Sequence, residues 1–319
     1  MPDRAKAEAE KRSAALSSVL AAVALTGFKV VVGFATGSLG ILAEAAHSGL
    51  DLVAALVTFL AIRAAGKPAD EEHPYGHGKI ENISALFETG LLLLTCVWIS
   101  WEAIRRLMTG RLEIEVTIWS FAVMLFSIVV DVSRSRMLYR TAKAHNSQAL
   151  EADALHFHTD IWSSSVVLFG LGCVKVGEWL PDYRWLERAD AIAALGVALI
   201  VVGVSWKLGM RTVYALVDTA PSGMHDTIIQ AAESVPGVIN AHNLRVRHSG
   251  PNVFADVHVL VDGAQSLQDA HDLTERVEDA VREVVPEVDL TVHPEPAQTH
   301  DPIPPPHAGE ESKAPRRRS

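Results

Sequence analysis

Six long apolar stretches constrain this chain of 319 residues more than any other feature. A helix needs about 20 predominantly apolar residues to cross the hydrocarbon core of a bilayer. The stretches cover approximately residues 14–36, 38–62, 83–104, 114–132, 161–176 and 189–210. They predict a six-helix transmembrane domain over residues 14–212, preceded by a segment, 1–13, that carries mixed charges and reads as an exposed or amphipathic helix.

Charge separates the two parts of the chain. Residues 1–213 contain 20 Lys+Arg and 21 Asp+Glu, a net of -1, whereas residues 214–319 contain 8 and 17, a net of -9; together these give the chain totals of 28 and 38. The acidity argues against nucleic-acid binding, which requires a basic surface. The two compositions predict a membrane part and an aqueous part.

The pattern after residue 212 is that of a small α+β domain. A helix is predicted over 224–234, strands over 243–248 and 253–261, a second helix after Ser266 and a last strand over 288–292. Asp269, three residues after Ser266, completes a capping box. Residues 213–296 therefore predict an αββαβ domain. Residues 297–319, rich in Pro and charge, predict a disordered tail.

The distribution of Lys and Arg indicates the orientation. These residues are more frequent in the loops that would face the cytosol if the N-terminus is inside. We therefore expect cytosolic N- and C-termini, and the absence of targeting signals favours a bacterial cell (inner) membrane. Lys29 lies inside the first apolar stretch, where its long side chain could snorkel outward.

Two apolar stretches each contain a His and an Asp four residues apart, which lie on one helix face. The ligand candidates are His47, Asp51, His156 and Asp160. An ionisable residue inside a bilayer costs about 2.5–3.5 kcal/mol on the lenient insertion scale, so repeated pairs indicate function. Two imidazoles and two carboxylates suit tetrahedral Zn²⁺, and the carboxylates cancel the charge of the ion. The alternative is that each side chain only hydrogen-bonds a neighbouring helix.

Three further side chains could bind a metal in the loop after the second stretch. Asp70, His73 and His77 are closely spaced there, although a His-rich loop is often merely solvated. His158 is two residues from His156 and faces elsewhere, so a polar role is expected for it. Asp131 is expected at the cytosolic edge near Arg134, with a proton relay as the alternative.

These motifs together resemble those of the cation diffusion facilitator family over about residues 14–296. The resemblance implies a homodimer that exchanges divalent metal ions for protons and has a ferredoxin-like or metallochaperone-like cytosolic domain. It implies transport ligands at the two His/Asp pairs and a loop site at Asp70, His73 and His77. It also implies that Lys79 and Asp218 form a salt bridge that ties the membrane domain to the cytosolic domain at the dimer interface.

By the same resemblance, the cytosolic domain has regulatory Zn²⁺ ligands. The matching residues are His242, His258, His271, His293 and Glu295. Glu295 stands where a bacterial relative has Asp. His225 and His248 match no ligand position and are expected at the surface.

Together with these residues, the resemblance implies a proton-coupled Zn²⁺ exporter that works by alternating access and is not an enzyme. Protons and metal compete for the same imidazole lone pairs, whose unperturbed pKa is about 6.5. Zn²⁺ would be both cargo and regulator. Export of Fe²⁺, Co²⁺, Cd²⁺ or Ni²⁺ stays open, as does a membrane-bound metal sensor. An intramembrane metalloprotease is disfavoured because the chain lacks an HExxH helix.

Overall fold

The computed structural model describes residues 2–109, 118–179, 186–220, 223–286 and 288–297. Within these ranges six long helices precede a small mixed domain. The helices are α1 (Pro2–Thr36), α2 (Leu39–Ala65), α3 (Lys79–Thr109), α4 (Ile118–Ala144), α5 (Gln148–Trp179) and α6 (Leu186–Leu216). The predicted tail, 297–319, lies outside the described residues from position 298 onward.

The helices extend beyond the apolar stretches that predicted them. The first helix begins at Pro2, so most of the charged N-terminal segment continues α1. Lys11 in this segment is only 1% exposed because its ammonium lies 2.8 Å from Glu81 Oε1 on α3. Of the two alternatives for the opening segment, the buried Lys11 among exposed neighbours fits an amphipathic helix better than a fully exposed one. A charged side chain is stable in such a place because its partner offsets the loss of hydration.

Four of the described helices contain segments long and apolar enough to cross a membrane: Ala5–Thr36, Glu44–Ala65, Lys79–Arg105 and Leu195–Leu216. Helices α4 and α5 are equally long but carry more polar residues. Helix α1 packs against α2 and α4, α3 packs against α6, and α5 packs against α2, α3, α4 and α6. The central position of α5 brings its polar face next to α2.

A glycine turn fixes the antiparallel return from α1 to α2. Gly37 has a φ of 63°, a left-handed conformation that a side chain disfavours. Ser38 then caps α2 by accepting a hydrogen bond from the backbone N–H of Ile41. Because the turn is so short, the C-terminal half of α1 lies beside the N-terminal half of α2.

The C-terminal domain has the predicted element order. It contains α7 (Met224–Glu233), β1 (Val238–Ser249), β2 (Asn252–Asp262), α8 (Leu267–Val284) and β3 (Val288–Ala297), with the strands in the order β1-β2-β3. The alternation along β2 buries its valine face, and the capping box of Ser266 and Asp269 begins α8. The apolar spacing of this helix predicts that Leu267 is buried together with Leu273, Val277 and Val281. Those three are buried, but Leu267 is 87% exposed at the first residue of α8.

The contacts divide the chain into two compact units. The first contains residues 1–220 together with Val246–Phe254, and the second contains the remainder. The predicted boundaries at 13, 212 and 296 stay predictions.

Candidate metal sites

The two His/Asp pairs of α2 and α5 come together in the first unit. His156 Nε2 lies 3.2 Å from Asp51 Oδ1 and 3.5 Å from Asp160 Oδ2. His47 Nε2 lies 3.9 Å from Asp51 Oδ1 and 3.8 Å from Asp160 Oδ1. Each imidazole therefore faces a carboxylate of its own helix and one of the other helix.

The nitrogen–oxygen separations are close to the ligand spacing of a tetrahedral metal site, although His47, Asp51 and Asp160 alone form a group whose ligand atoms all lie within 4.8 Å of one another. Metal–ligand distances of about 2.0–2.1 Å place neighbouring ligand atoms of a tetrahedron about 3.3 Å apart. The four nitrogen–oxygen separations span 3.2–3.9 Å. Three of the four side chains are at most 13% exposed, whereas that of His47 is 34% exposed. A divalent ion would therefore meet a set of ligands whose two carboxylates balance its charge.

Two ionisable residues near the pairs do not join them. His158 Nδ1 lies 2.9 Å from Ser135 Oγ on α4, in agreement with the expectation that it faces elsewhere. Asp131 is 8% exposed and lies 3.6 Å from Arg134, so it is buried and paired with the expected arginine.

Sequence reasoning missed buried carboxylates in the same bundle. Glu88 on α3 is fully buried and accepts a 2.7 Å hydrogen bond from Thr58 Oγ1. Asp153 on α5 is also fully buried and accepts a 3.3 Å hydrogen bond from Ser18 Oγ. Glu88 lies within the third apolar stretch, so an acid inside a predicted membrane span was the available signal.

The loop residues form a second cluster, which is more exposed. Asp70 Oδ1 lies 3.1 Å from His73 Nδ1, and Asp70 Oδ2 lies 3.3 Å from His77 Nε2. Hydrogen bonds from the backbone N–H and then the imidazole of His73 hold the pKa of Asp70 below its usual range. The carboxylate is thus ionised and available to a cation.

Three strands supply a third cluster in the second unit. Glu295 on β3 lies 2.7 Å from His258 Nδ1 on β2 and 3.2 Å from His242 Nε2 on β1. A hydrogen bond from His258, followed by the charge of His242, lowers the pKa of Glu295. His293 Nε2 lies 3.9 Å from Glu295, at the edge of the cluster.

His271 is not brought into this cluster. It lies on α8, where its Nε2 is 3.7 Å from Glu275 one turn away, and its side chain is 64% exposed. The ligand role that the resemblance implied for His271 thus lacks geometric support in the described residues of a single chain.

The expected partners Lys79 and Asp218 form an ion pair of 2.8 Å. Lys79 Nζ also donates a hydrogen bond to the carbonyl of Leu216. Both residues belong to the first unit, at the end of α6 and the start of α3. The role of this pair in linking the domains stays a prediction.

Comparisons with known proteins agree with this architecture. Residues 15–217 match the profile of the cation efflux transmembrane domain, and residues 220–297 match that of the cytoplasmic domain of cation efflux proteins. The chain is 33% identical over 295 residues to the cation-efflux pump FieF of Yersinia enterocolitica, covering 89% of this chain and 92% of that protein. The corresponding protein of Serratia proteamaculans is 33% identical over 292 residues, with the same coverage.

Solved structures of a C-terminal domain also match part of the chain. A cadmium form of the MamM CTD is 31% identical, with a TM-score of 0.23, and the match covers 24% of this chain and 98% of that one. Helical membrane segments, metal-ligand clusters and both family profiles define a transporter that exports divalent metal cations. The chain belongs to the cation diffusion facilitator family.

Proposed function

We propose that this protein exports Zn²⁺ in exchange for protons, through a site formed by the His/Asp pairs of α2 and α5. The observation that carries the proposal is the crossed arrangement of His47, Asp51, His156 and Asp160, with nitrogen–oxygen separations of 3.2–3.9 Å. Two nitrogen and two oxygen ligands in a tetrahedral arrangement favour Zn²⁺ over ions that prefer six oxygens.

Proton coupling follows from the chemistry of these ligands. An imidazole binds a metal only through a deprotonated nitrogen, so a proton and the metal exclude each other there. The carboxylates within 4 Å favour either cation over an empty site. Loading from the cytosol therefore releases protons, and protons that enter from outside displace the metal.

We further propose a homodimer in the bacterial inner membrane with both termini in the cytosol. The match of residues 220–297 to the cytoplasmic cation-efflux domain supports dimerisation, and the Lys and Arg bias supports the orientation. Zn²⁺ at His242, His258 and Glu295 would reduce the negative charge of the cytosolic domains and favour their approach. The loop cluster of Asp70, His73 and His77 is proposed as a second cytosolic metal site.

The test is metal uptake into everted membrane vesicles. An acidic lumen should drive Zn²⁺ inward, and an ionophore that collapses the pH gradient should stop accumulation. Asp160→Ala should abolish uptake because it removes a ligand and one of the two compensating charges. Asp289→Ala, which changes an exposed carboxylate on β3, is the matched control and should transport normally.

Two outcomes would contradict the proposal. Wild-type uptake by Asp160→Ala would exclude the proposed site. Binding of Zn²⁺ without accumulation in the wild-type vesicles would instead favour a metal sensor. Competition by Fe²⁺, Co²⁺, Cd²⁺ and Ni²⁺ in the same vesicles measures the selectivity.

A further inference from the structure

Helix α1 supplies none of the proposed transport ligands, yet two of its polar side chains bind the ligand-bearing turn of α2. Lys29 Nζ donates a 2.7 Å hydrogen bond to Ser48 Oγ and lies 3.3 Å from Glu44 Oε2. Thr26 Oγ1 donates a 3.0 Å hydrogen bond to the carbonyl of Ser48. Lys29 is 4% exposed, so its ammonium does not snorkel to the solvent and is held inside the bundle.

The residue that Lys29 binds is a third carboxylate beside the transport site. Glu44, His47, Ser48 and Asp51 occupy positions i, i+3, i+4 and i+7 of α2, which lie on one helix face. Glu44 lies one helical turn before the proposed ligand His47, and its side chain is 44% exposed. It is the one carboxylate of α2 that is not a proposed ligand, and it is therefore the α2 side chain that could add an oxygen to the ligand-bearing face.

A free carboxylate in this position would change the chemistry of the site. With Glu44 available, a divalent ion would meet three carboxylates, and the occupied site would carry a net negative charge in a region of low dielectric constant. The added oxygen would also favour ions such as Mn²⁺, which prefer carboxylate and carbonyl ligands to imidazole. The ammonium of Lys29 neutralises Glu44 and occupies one of its oxygens.

We propose that Lys29 is a specificity-determining residue, which keeps Glu44 out of the ligand set and limits the site to two nitrogen and two oxygen ligands. This inference rests on the proposed transport site at His47, Asp51, His156 and Asp160. Lys29 does not touch the cargo. It acts through Glu44 and Ser48, and it makes selectivity depend on a helix that carries no ligand.

The experiment compares Zn²⁺ and Mn²⁺ transport by the full-length protein in proteoliposomes. Both ions are supplied together, and the ratio of their kcat/KM values is measured, since this ratio does not depend on the amount of active protein. Lys29→Met should shift the ratio towards Mn²⁺ by about tenfold, within the range seen when residues that support metal ligands are changed. The double variant Lys29→Met/Glu44→Gln should return the ratio to that of the wild type.

Two matched controls separate charge from packing. Lys29→Arg keeps the positive charge and should keep the ratio, and Glu44→Gln alone should also keep it. If Lys29→Met is inactive but the double variant transports, Glu44 retains the ion when it is unpaired, as proposed. If both are inactive, or if the double variant keeps the altered ratio, the role assigned to Glu44 is wrong.

The outcome is distinguishable from failure of the proposed site. Asp51→Ala is measured in the same vesicles and should lose transport of both ions. If it transports, the proposed ligand set is wrong. If it is inactive but Lys29→Met has the wild-type ratio, the ligand set stands and only the inference about Lys29 is wrong.

Discussion

The proposed transport site of His47, Asp51, His156 and Asp160 and the cluster of His242, His258 and Glu295 combine the same ligand types in different surroundings. His156 and Asp51 have side chains that are 7% and 13% exposed, whereas those of His242 and Glu295 are 31% and 35% exposed. Water can solvate the cluster of His242, His258 and Glu295 when no metal is bound. The charge of the two carboxylates between α2 and α5 must instead be balanced by a metal ion, protons or neighbouring side chains, because an isolated charge is poorly tolerated in a bundle interior.

This difference in burial predicts that the loss of a buried ligand has the largest effect on Zn²⁺ transport. His156→Ala should reduce kcat/KM for Zn²⁺ by more than about a hundredfold, because changing even a residue that only supports a metal ligand costs about 10–100-fold in metal affinity. Initial rates at low Zn²⁺ in vesicles measure this. His158→Ala, which removes an imidazole bound to Ser135 two residues away, is the control and should transport Zn²⁺ normally. Equal rates for the two variants would contradict the assignment.

The contrast between buried and exposed charges can also be tested through protein stability, at an ion pair that lies away from the metal ligands. Lys11 and Glu81 are each 1% exposed and lie 2.8 Å apart. Lys11→Met should destabilise the protein by about 3–5 kcal/mol because it leaves Glu81 buried without its partner. Thermal unfolding in detergent should show a lower midpoint for this variant.

The matched control for this ion pair is an exposed one. Lys143→Met disrupts a 3.8 Å contact with Glu151, in which the lysine side chain is 56% exposed, and should change stability by less than about 1 kcal/mol. The double variant Lys11→Met/Glu81→Leu should recover most of the loss. If the single and double variants unfold at the same temperature, the uncompensated charge is not the cause.

The pH dependence of the cluster of His242, His258 and Glu295 tests the protonation state of its carboxylate. Because the hydrogen bond from His258 lowers the pKa of Glu295, this carboxylate stays ionised as the pH falls from 7 towards 5. Glu295→Gln should weaken Zn²⁺ binding by about tenfold or more while keeping the slope of log Kd against pH. Titration calorimetry on a full-length protein that carries Asp51→Ala and Asp70→Ala isolates this cluster. If the slope of log Kd against pH is smaller by one proton in Glu295→Gln than in the background protein, Glu295 itself titrates in this range.

The smallest effect is expected at His271. Its side chain is 64% exposed and contacts only Glu275 among the interactions described for it on α8. His271→Ala should change Zn²⁺ affinity of the same background protein by no more than about twofold, as expected for a surface substitution. His258→Ala is the positive control and should weaken binding strongly. A large effect of His271→Ala would indicate that a second chain brings this residue to the metal.

The contrast also explains which parts of the molecule were predictable. The His/Asp spacing placed each pair on one helix face, and the valine alternation identified β2, because both depend on local geometry alone. The pairing of Lys11 with Glu81 and of Lys29 with Glu44 was not predictable, since these partners lie on other helices, whereas the contact of Lys11 with Glu8 is a local one between neighbouring positions of α1. His271 had the expected residue type but does not lie near the other ligands.

The sequence by itself determined the apolar lengths, the order αββαβ and the ligand types, since periodicity and composition are properties of neighbouring residues. Only the tertiary structure decided that α2 and α5 bring His156 to 3.2 Å from Asp51 and His47 to 3.8 Å from Asp160, and that α1 contributes a lysine to the ligand-bearing turn. The physical reason is that charge compensation inside a helix bundle depends on side chains that packing brings together, such as pairs 15 and 105 residues apart in the sequence.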